Sequence, residues 1–157
     1  MKVNVKIRKA LSEDAFQVAS VLYKGFIEFE SLYTPEAFRA TTPDRDGVSA
    51  RMREGPIWVA LINDKIIATA SAVEKTNGLY IRGMAVVPNA RGMKIGKMLI
   101  EHIEDFAKEN WYKKLFLSTT PFLDSAIKLY QKSGFKRSSE GPDNLFGTPL
   151  FTMYKLL

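Results

Sequence analysis

Residues 79–119 constrain the fold most. Leu79 to Val87 is nearly continuous in apolar character and ends at Pro88, which suits a central strand buried on both faces. A glycine-containing loop follows. Ile95, Leu99, Ile103 and Phe106 then recur at helical spacing, predicting a helix from about Arg91 to Asn110. Lys114 to Thr119 reads as a strand again. Strand, helix and strand in this order form a βαβ unit.

The segments around this unit extend it. Val3, Val5 and Ile7 alternate with polar neighbours and predict a strand. Ser12 has the chemistry of a helix N-cap, with Glu13 and Asp14 in the first turn. Phe16, Ala19, Val21, Leu22 and Phe26 supply that helix with an apolar face. Pro35, Pro43 and Gly47 break residues 26–55 into short helical pieces and loops. Ile57 to Ile62 and Ile66 to Val73 read as strands, and Thr76-Asn77-Gly78 closes a hairpin. Pro121 predicts the start of a helix that carries Ala126, Ile127 and Tyr130 and stops at Ser133-Gly134. Phe135 to Ser138 and Leu150 to Leu156 predict two last strands. An antiparallel meander leading into a βαβ unit is an α/β (α+β) architecture. At 157 residues the chain fits one domain, 1–157.

Composition removes several classes of chemistry. Cysteine is absent, so disulfides, thiolate nucleophiles and cysteine-ligated metals go together. His102 is the single histidine, and it lies on a helix beside Glu101, Glu104 and Asp105. No metal site is expected. No apolar run is long enough to span a membrane, and Met1 to Ala10 lacks the apolar core of a signal peptide. A cytoplasmic location is the expectation. The net charge of +6 is concentrated in the second half. Lys75 to Ile100 contains Lys75, Arg82, Arg91, Lys94 and Lys97 and no acidic residue. Such a run is either a solvated basic face or a site for an anion.

Met84 to Lys97 runs strand, turn, helix start. The first turn of a helix leaves backbone N–H groups unpaired and carries the positive end of the helix dipole. Gly92 and Gly96 permit close approach, and Arg91, Lys94 and Lys97 add charge. These features suffice for a pyrophosphate site. A Walker A loop is excluded, because three residues rather than four separate the glycines and Met98 follows Lys97. A dinucleotide G-x-G-x-x-G pattern is absent as well.

The same loop resembles the acyl-CoA-binding loop of the GNAT family of N-acetyltransferases, [RQ]-x-x-G-x-[GA]. Arg91 and Gly96 take its first and last positions, and Lys94 stands where the family has glycine. Ser125 to Phe135, with Ala126, Leu129, Tyr130, Lys132, Gly134 and Phe135, resembles the family's later block A-x-x-L-Y-x-[KR]-x-G-F. Leu123 stands where many members have asparagine.

The resemblance implies a mostly antiparallel mixed sheet of about seven strands flanked by helices and splayed between the fourth and fifth strands. It implies acetyl-CoA as cosubstrate, held by Met84, Ala85, Val86, Val87, Arg91, Gly92, Met93, Lys94, Ile95, Gly96 and Lys97. It also implies direct acetyl transfer to a primary amine of a small molecule or peptide, with Tyr130 as general acid. Family members often dimerise. The strand corresponding to the one that can carry a glutamate base has no carboxylate. Tyr80 is the candidate for ordering a water there, on a face that alternation assigns to Tyr80, Arg82, Met84 and Val86. Phe26, Glu28, Phe29 and Tyr33 are candidate acceptor contacts, or core and surface residues of an irregular segment. The alternative to an enzyme is an acyl-CoA sensor with the same fold. A nucleic-acid binder is disfavoured, because the charge clusters at one helix start and no nucleic-acid motif is present.

Overall fold

A computed structural model describes residues 3–157. A seven-stranded sheet runs in the order β1-β2-β3-β4-β5-β9-β6. Its strands are β1 (Lys6–Lys9), β2 (Ile57–Ile62), β3 (Lys65–Lys75), β4 (Gly78–Val86), β5 (Lys114–Thr119), β6 (Lys136–Ser138) and β9 (Phe151–Leu156). β7 (Asn144–Leu145) and β8 (Thr148–Pro149) form a separate small hairpin. Among the described residues, only β4 and β5 pair parallel within the large sheet, across the βαβ unit. The helices are α1 (Ala15–Phe26), α2 (Pro35–Thr41), α3 (Arg45–Glu54), α4 (Ile95–Glu109) and α5 (Asp124–Lys132).

The two faces of the sheet take different helices, and strand alternation sorts them. Ile57, Thr69 and Ser71 face a small hollow shared with Leu22 of α1 and Val48 of α3. Trp58, next in sequence to Ile57, stacks edge-on against Phe106 and His102 of α4, at 5.1 and 5.9 Å between ring centroids. The core is therefore continuous through the sheet. Val18, Leu22 and Val48 seal one side, and Leu99, Ile100 and Ile103 seal the other, all fully buried. His102 is an exposed neighbour of the core rather than part of a site.

Several boundaries differ from the sequence reading. Val3 to Val5 are not in the first strand. Ser12 does not cap a helix: residues 12–14 form a 3-10 turn and α1 begins at Ala15. Asp14 organises this corner instead, accepting Leu11 N–H and the Arg8 guanidinium at 2.7 Å each. The buried face of α1 is Ala15, Val18, Val21, Leu22 and Gly25, and Phe16 points outward, 68% exposed. Phe16 was a poor core marker because a 3.6-residue period places it off the Val18–Leu22–Gly25 stripe. α5 begins at Asp124, three residues past Pro121. α4 begins at Ile95 rather than Arg91, because Lys94 has left-handed backbone (φ 61°) and a helix cannot include it.

β4 has two halves. Leu79, Tyr80 and Ile81 pair with β5 at Leu115, Phe116 and Leu117, and there the ladder stops. From Arg82 onward β4 pairs with β3 alone. The strands thus part at this point, as the resemblance implied. The β4–β3 register also slips at the same place: Ser71 faces Arg82, but Thr69 faces Ala85. Gly83 and Met84 therefore oppose one residue, a bulge with Gly83 at φ 63°. Residues with a Cβ strongly resist that conformation, and a Cβ at Gly83 would also stand 2.9 Å from Arg51 Nη1.

The bulge overturns the face assigned by alternation. Tyr80 and Arg82 remain together, with Arg82 opposite Ser71 on the α1–α3 face. Ala85 then joins that face, since its Cβ is the nearest atom to where a Cβ of Gly25 would lie. Met84 turns to the α4 face, where its Cε approaches Gly96. A strict period of two fails across one inserted residue.

Candidate active site

The turn between β4 and α4 offers backbone. Among the described residues, none of the N–H groups from Gly92 to Lys97 donates a hydrogen bond, and the first helical bond is Met98 N–H to Lys94 O at 3.1 Å. Gly92 has left-handed backbone (φ 84°) and open space where a Cβ would be. Lys94 keeps the left-handed turn despite its Cβ. The turn thus has the form a glycine would give it, with an ammonium added. Six free donors at the positive end of a 15-residue helix fit a pyrophosphate.

Side chains here have other tasks. Ile95 is 2% exposed and belongs to the core, so it can offer a ligand only its N–H. Ala85 and Val87 are likewise buried, whereas Met84, Val86 and Met93 are half-buried at the edge of the core. Gly96 packs tightly, since a Cβ there would lie 2.8 Å from Leu129 Cδ2 of α5. Arg91 is tied across the cleft mouth, donating to Gly25 O at 3.2 Å and meeting Glu28 Oε1 at 2.5 Å. Two residues singled out separately in the sequence, Arg91 and Glu28, are thus one ion pair joining the loop to the end of α1. Lys97 meets Glu101 one turn along α4, at 3.9 Å.

Behind the parted strands lie three tyrosines. Tyr130 on α5 is buried, and its ring packs against Phe135 at 6.0 Å. The tight C-terminal turn fixes it: Phe135 N–H donates to Tyr130 O at 2.9 Å, with Gly134 at φ 96° between. Burial pushes the Tyr130 hydroxyl well above its ordinary value of 10, and the hydroxyls of Tyr33 and Tyr80 add to the rise. Burial also raises Tyr33, to about 12, with the Thr120 hydroxyl pulling the other way. Tyr80 lies against Phe116 at 5.1 Å. Tyr33 meets Phe122 edge-on at 5.0 Å, and Phe29 lies 6.3 Å from the same ring. Phe26 bridges this aromatic cluster and the main core. The aromatics of residues 26–38 are therefore packed together at the cleft, with Tyr33 and Phe38 buried.

Two arginines beside Tyr80 were not foreseen as site residues. Arg51 of α3 donates to Ala40 O at 2.8 Å. Its guanidinium is pulled down to about 10, by burial first and by neighbouring Arg82 second. Arg82 Nη2 stands 2.8 Å from Glu54 Oε2. Glu54 is held below its ordinary 4.5 by that guanidinium. The alternation of β4 put Arg82 beside Tyr80, but nothing local in the sequence brings Arg51 to them.

The family model of the Acetyltransferase (GNAT) family matches residues 22–135. The chain belongs to the GNAT family. Among curated relatives, this GNAT chain is 34% identical over 84 residues to a probable N-acetyltransferase camello of Xenopus laevis, covering 52% of the chain and 38% of that protein. It is 32% identical over 98 residues to an IAA acetyltransferase of Azospirillum brasilense, covering 61% and 63%. The chain spans less than two thirds of the length of either relative. Among solved structures, it superposes on the PaiA N-acetyltransferase from Thermoplasma acidophilum in complex with coenzyme A with a TM-score of 0.82, covering 98% and 99% of the two chains at 19% identity. That likeness shows the GNAT fold. Among the described residues, no helix is long and apolar enough to cross a membrane.

Proposed function

We propose that this GNAT chain is an acetyl-CoA-dependent N-acetyltransferase that acetylates a primary amine directly. The observation that carries the reading is the parted β4–β5 pair, with six unpaired N–H groups at one end and the Tyr130 hydroxyl behind it. Family membership and the coenzyme A complex of the superposed structure support the choice of donor.

Bound acetyl-CoA supplies an activated acyl group as a thioester. The N–H groups of Gly92 to Lys97 take the pyrophosphate, with Lys94 and Lys97 adding charge. The unpaired edge of Met84 to Val87 takes the extended arm as an added strand would. A main-chain N–H of that edge polarises the carbonyl, so negative charge develops against a fixed donor. Tyr130 stays neutral at any working pH, because burial opposes its phenolate. Its O–H is therefore a fixed donor to the departing sulfur. Its proton moves on only as another reaches the phenol oxygen in the same step, since burial opposes the phenolate. The proton lost by the amine nitrogen balances the one gained by sulfur, and Tyr130 ends as it began. Tyr80 orders a water beside the amine. Phe26, Phe29 and Tyr33 wall the acceptor side, and the Glu28–Arg91 pair closes its mouth.

The test is thiol release on mixing the protein, acetyl-CoA and a panel of primary amines. Release that needs both substrates is the expected result. Release equal with and without amine, across the panel, would overturn transfer.

A further inference from the structure

The acceptor side carries a charge arrangement that transfer alone does not require. Arg51 and Arg82 converge under the β4 bulge, and one carboxylate, Glu54, meets them. Arg82 Nε and Nη2 are both shut off from solvent; Nη2 has Glu54 Oε2 at 2.8 Å, and among the described residues Nε has no acceptor. A buried guanidinium donor without an acceptor is costly. The backbone holds Arg82 in place, because Ser71 Oγ donates to Arg82 O at 2.6 Å. Glu54, by contrast, ends α3 with its side chain 49% exposed. It is a loose partner for a fixed cation.

The place is the right one for an acceptor. The pyrophosphate donors lie at the start of α4, on the opposite face of the sheet from α1 and α3. An amine reaching the unpaired edge of β4 from the other face meets Tyr80, and Arg82 is the next outward position on that face. A small hollow of about 10 Å³ lies under the bulge, walled by Leu22, Arg51, Ser71 and Gly83.

From this juxtaposition we propose that the acceptor is an amino acid or similar amine bearing a carboxylate, and that Arg82, backed by Arg51, is the anchor for that carboxylate. The inference rests on the transfer reading and names its substrate class. A carboxylate supplies the planar acceptor that a guanidinium binds in paired fashion. It also offsets the positive charge that Glu54 leaves uncompensated. Polyamines meet the opposite situation, since each further ammonium enters beside a net positive pair. The same field disfavours the protonated amine at Tyr80 and so favours its nucleophilic form.

The experiment compares kcat/KM for an amino acid, its carboxamide and a linear polyamine, first with the unaltered protein and then with Arg82→Gln and Arg82→Lys. The amino acid should exceed its carboxamide by roughly 10–100-fold, the scale of a charge-assisted bond. The difference should lie in KM, and Arg82→Gln should collapse the ratio toward one while Arg82→Lys keeps part of it. Equal use of acid and carboxamide by the unaltered protein, or a polyamine as the best acceptor, would overturn this inference and leave transfer standing. Thiol release with none of the three, nor with the wider amine panel, would overturn transfer itself and this inference with it.

Discussion

The two sides of the β4–β5 cleft are built from different materials. On the proposed donor side, one contiguous segment, Gly92 to Lys97, presents backbone N–H groups at a helix start. On the side proposed for the acceptor and the proton transfers, Tyr33, Arg51, Tyr80, Arg82 and Tyr130 arrive from five separate positions in the chain. Backbone donors are insensitive to side-chain replacement, so the donor side can absorb a change such as lysine for glycine. The acceptor side consists of side chains, so each replacement there alters the chemistry offered.

This contrast orders the expected effects of substitution. Tyr130→Phe should be the most damaging to turnover, lowering amine-dependent thiol release by roughly 10²–10⁴-fold, the range of general acid catalysis. Calorimetry should find acetyl-CoA affinity changed only a few-fold. Indifference of turnover to this change would remove Tyr130 from the proton path and break the side-chain half of the comparison.

Gly83→Val probes the hinge between the two sides. It forces a β-branched residue into φ 63° and against Arg51 Nη1. A loss of about 2–4 kcal/mol in urea unfolding is expected, together with a rise in acceptor KM as Arg51 is displaced. Unchanged stability would mean the bulge relaxes freely, and the register slip would then not be what aligns Arg82 with Tyr80.

Lys94→Gly sharpens the donor half. The change relieves a left-handed lysine while adding glycine's entropy to the unfolded chain, for a net gain of about 0.5–1 kcal/mol. Acetyl-CoA affinity should change less than about tenfold, since a solvent-facing charge contributes little. A loss of affinity much beyond that would show that the ammonium, not the N–H array, holds the ligand.

The smallest effect is in acid. Glu54 has its carboxyl held below 4.5 in the folded protein by Arg82. A depressed carboxylate contributes stability that is present above its unfolded value and lost as pH falls through the folded value. Its contribution therefore disappears on acidification below about pH 4.5. Glu54→Gln should flatten that limb of a stability–pH curve by at most about 1 kcal/mol, because the pair is half exposed. An unaltered limb would show that Glu54 and Arg82 do not pair in solution.

Legibility in the sequence followed the same division. β2 and β5 were bounded residue for residue, and the strand–loop–helix site was readable because periodicity, glycines and charge sit within 14 consecutive positions. Tyr130 stands out as a candidate through a motif that ends in a glycine C-cap. What failed was what depends on one residue of register or on long-range packing. Gly83 gives no sign in sequence that it starts a bulge, so alternation puts Met84 and Val86 on the wrong face. A lysine does not by itself signal left-handed backbone, and only the glycine that the family motif has at Lys94 hints that α4 starts after it. Arg51 lies 31 positions from Arg82, and only the packing of α3 against β4 brings them together. The β7–β8 hairpin leaves no periodicity to read, because each strand is two residues long.

Transfer requires first that the cleft hold the acyl donor. Calorimetric titration of acetyl-CoA into the unaltered protein, repeated with Tyr130→Phe, addresses that claim without needing the acceptor. One-to-one binding in both proteins is the expected result, because the donor side is main chain and Tyr130 lies outside it. Absence of binding in the unaltered protein would contradict the account, since unpaired N–H groups and a parted strand edge would then serve something other than acetyl-CoA.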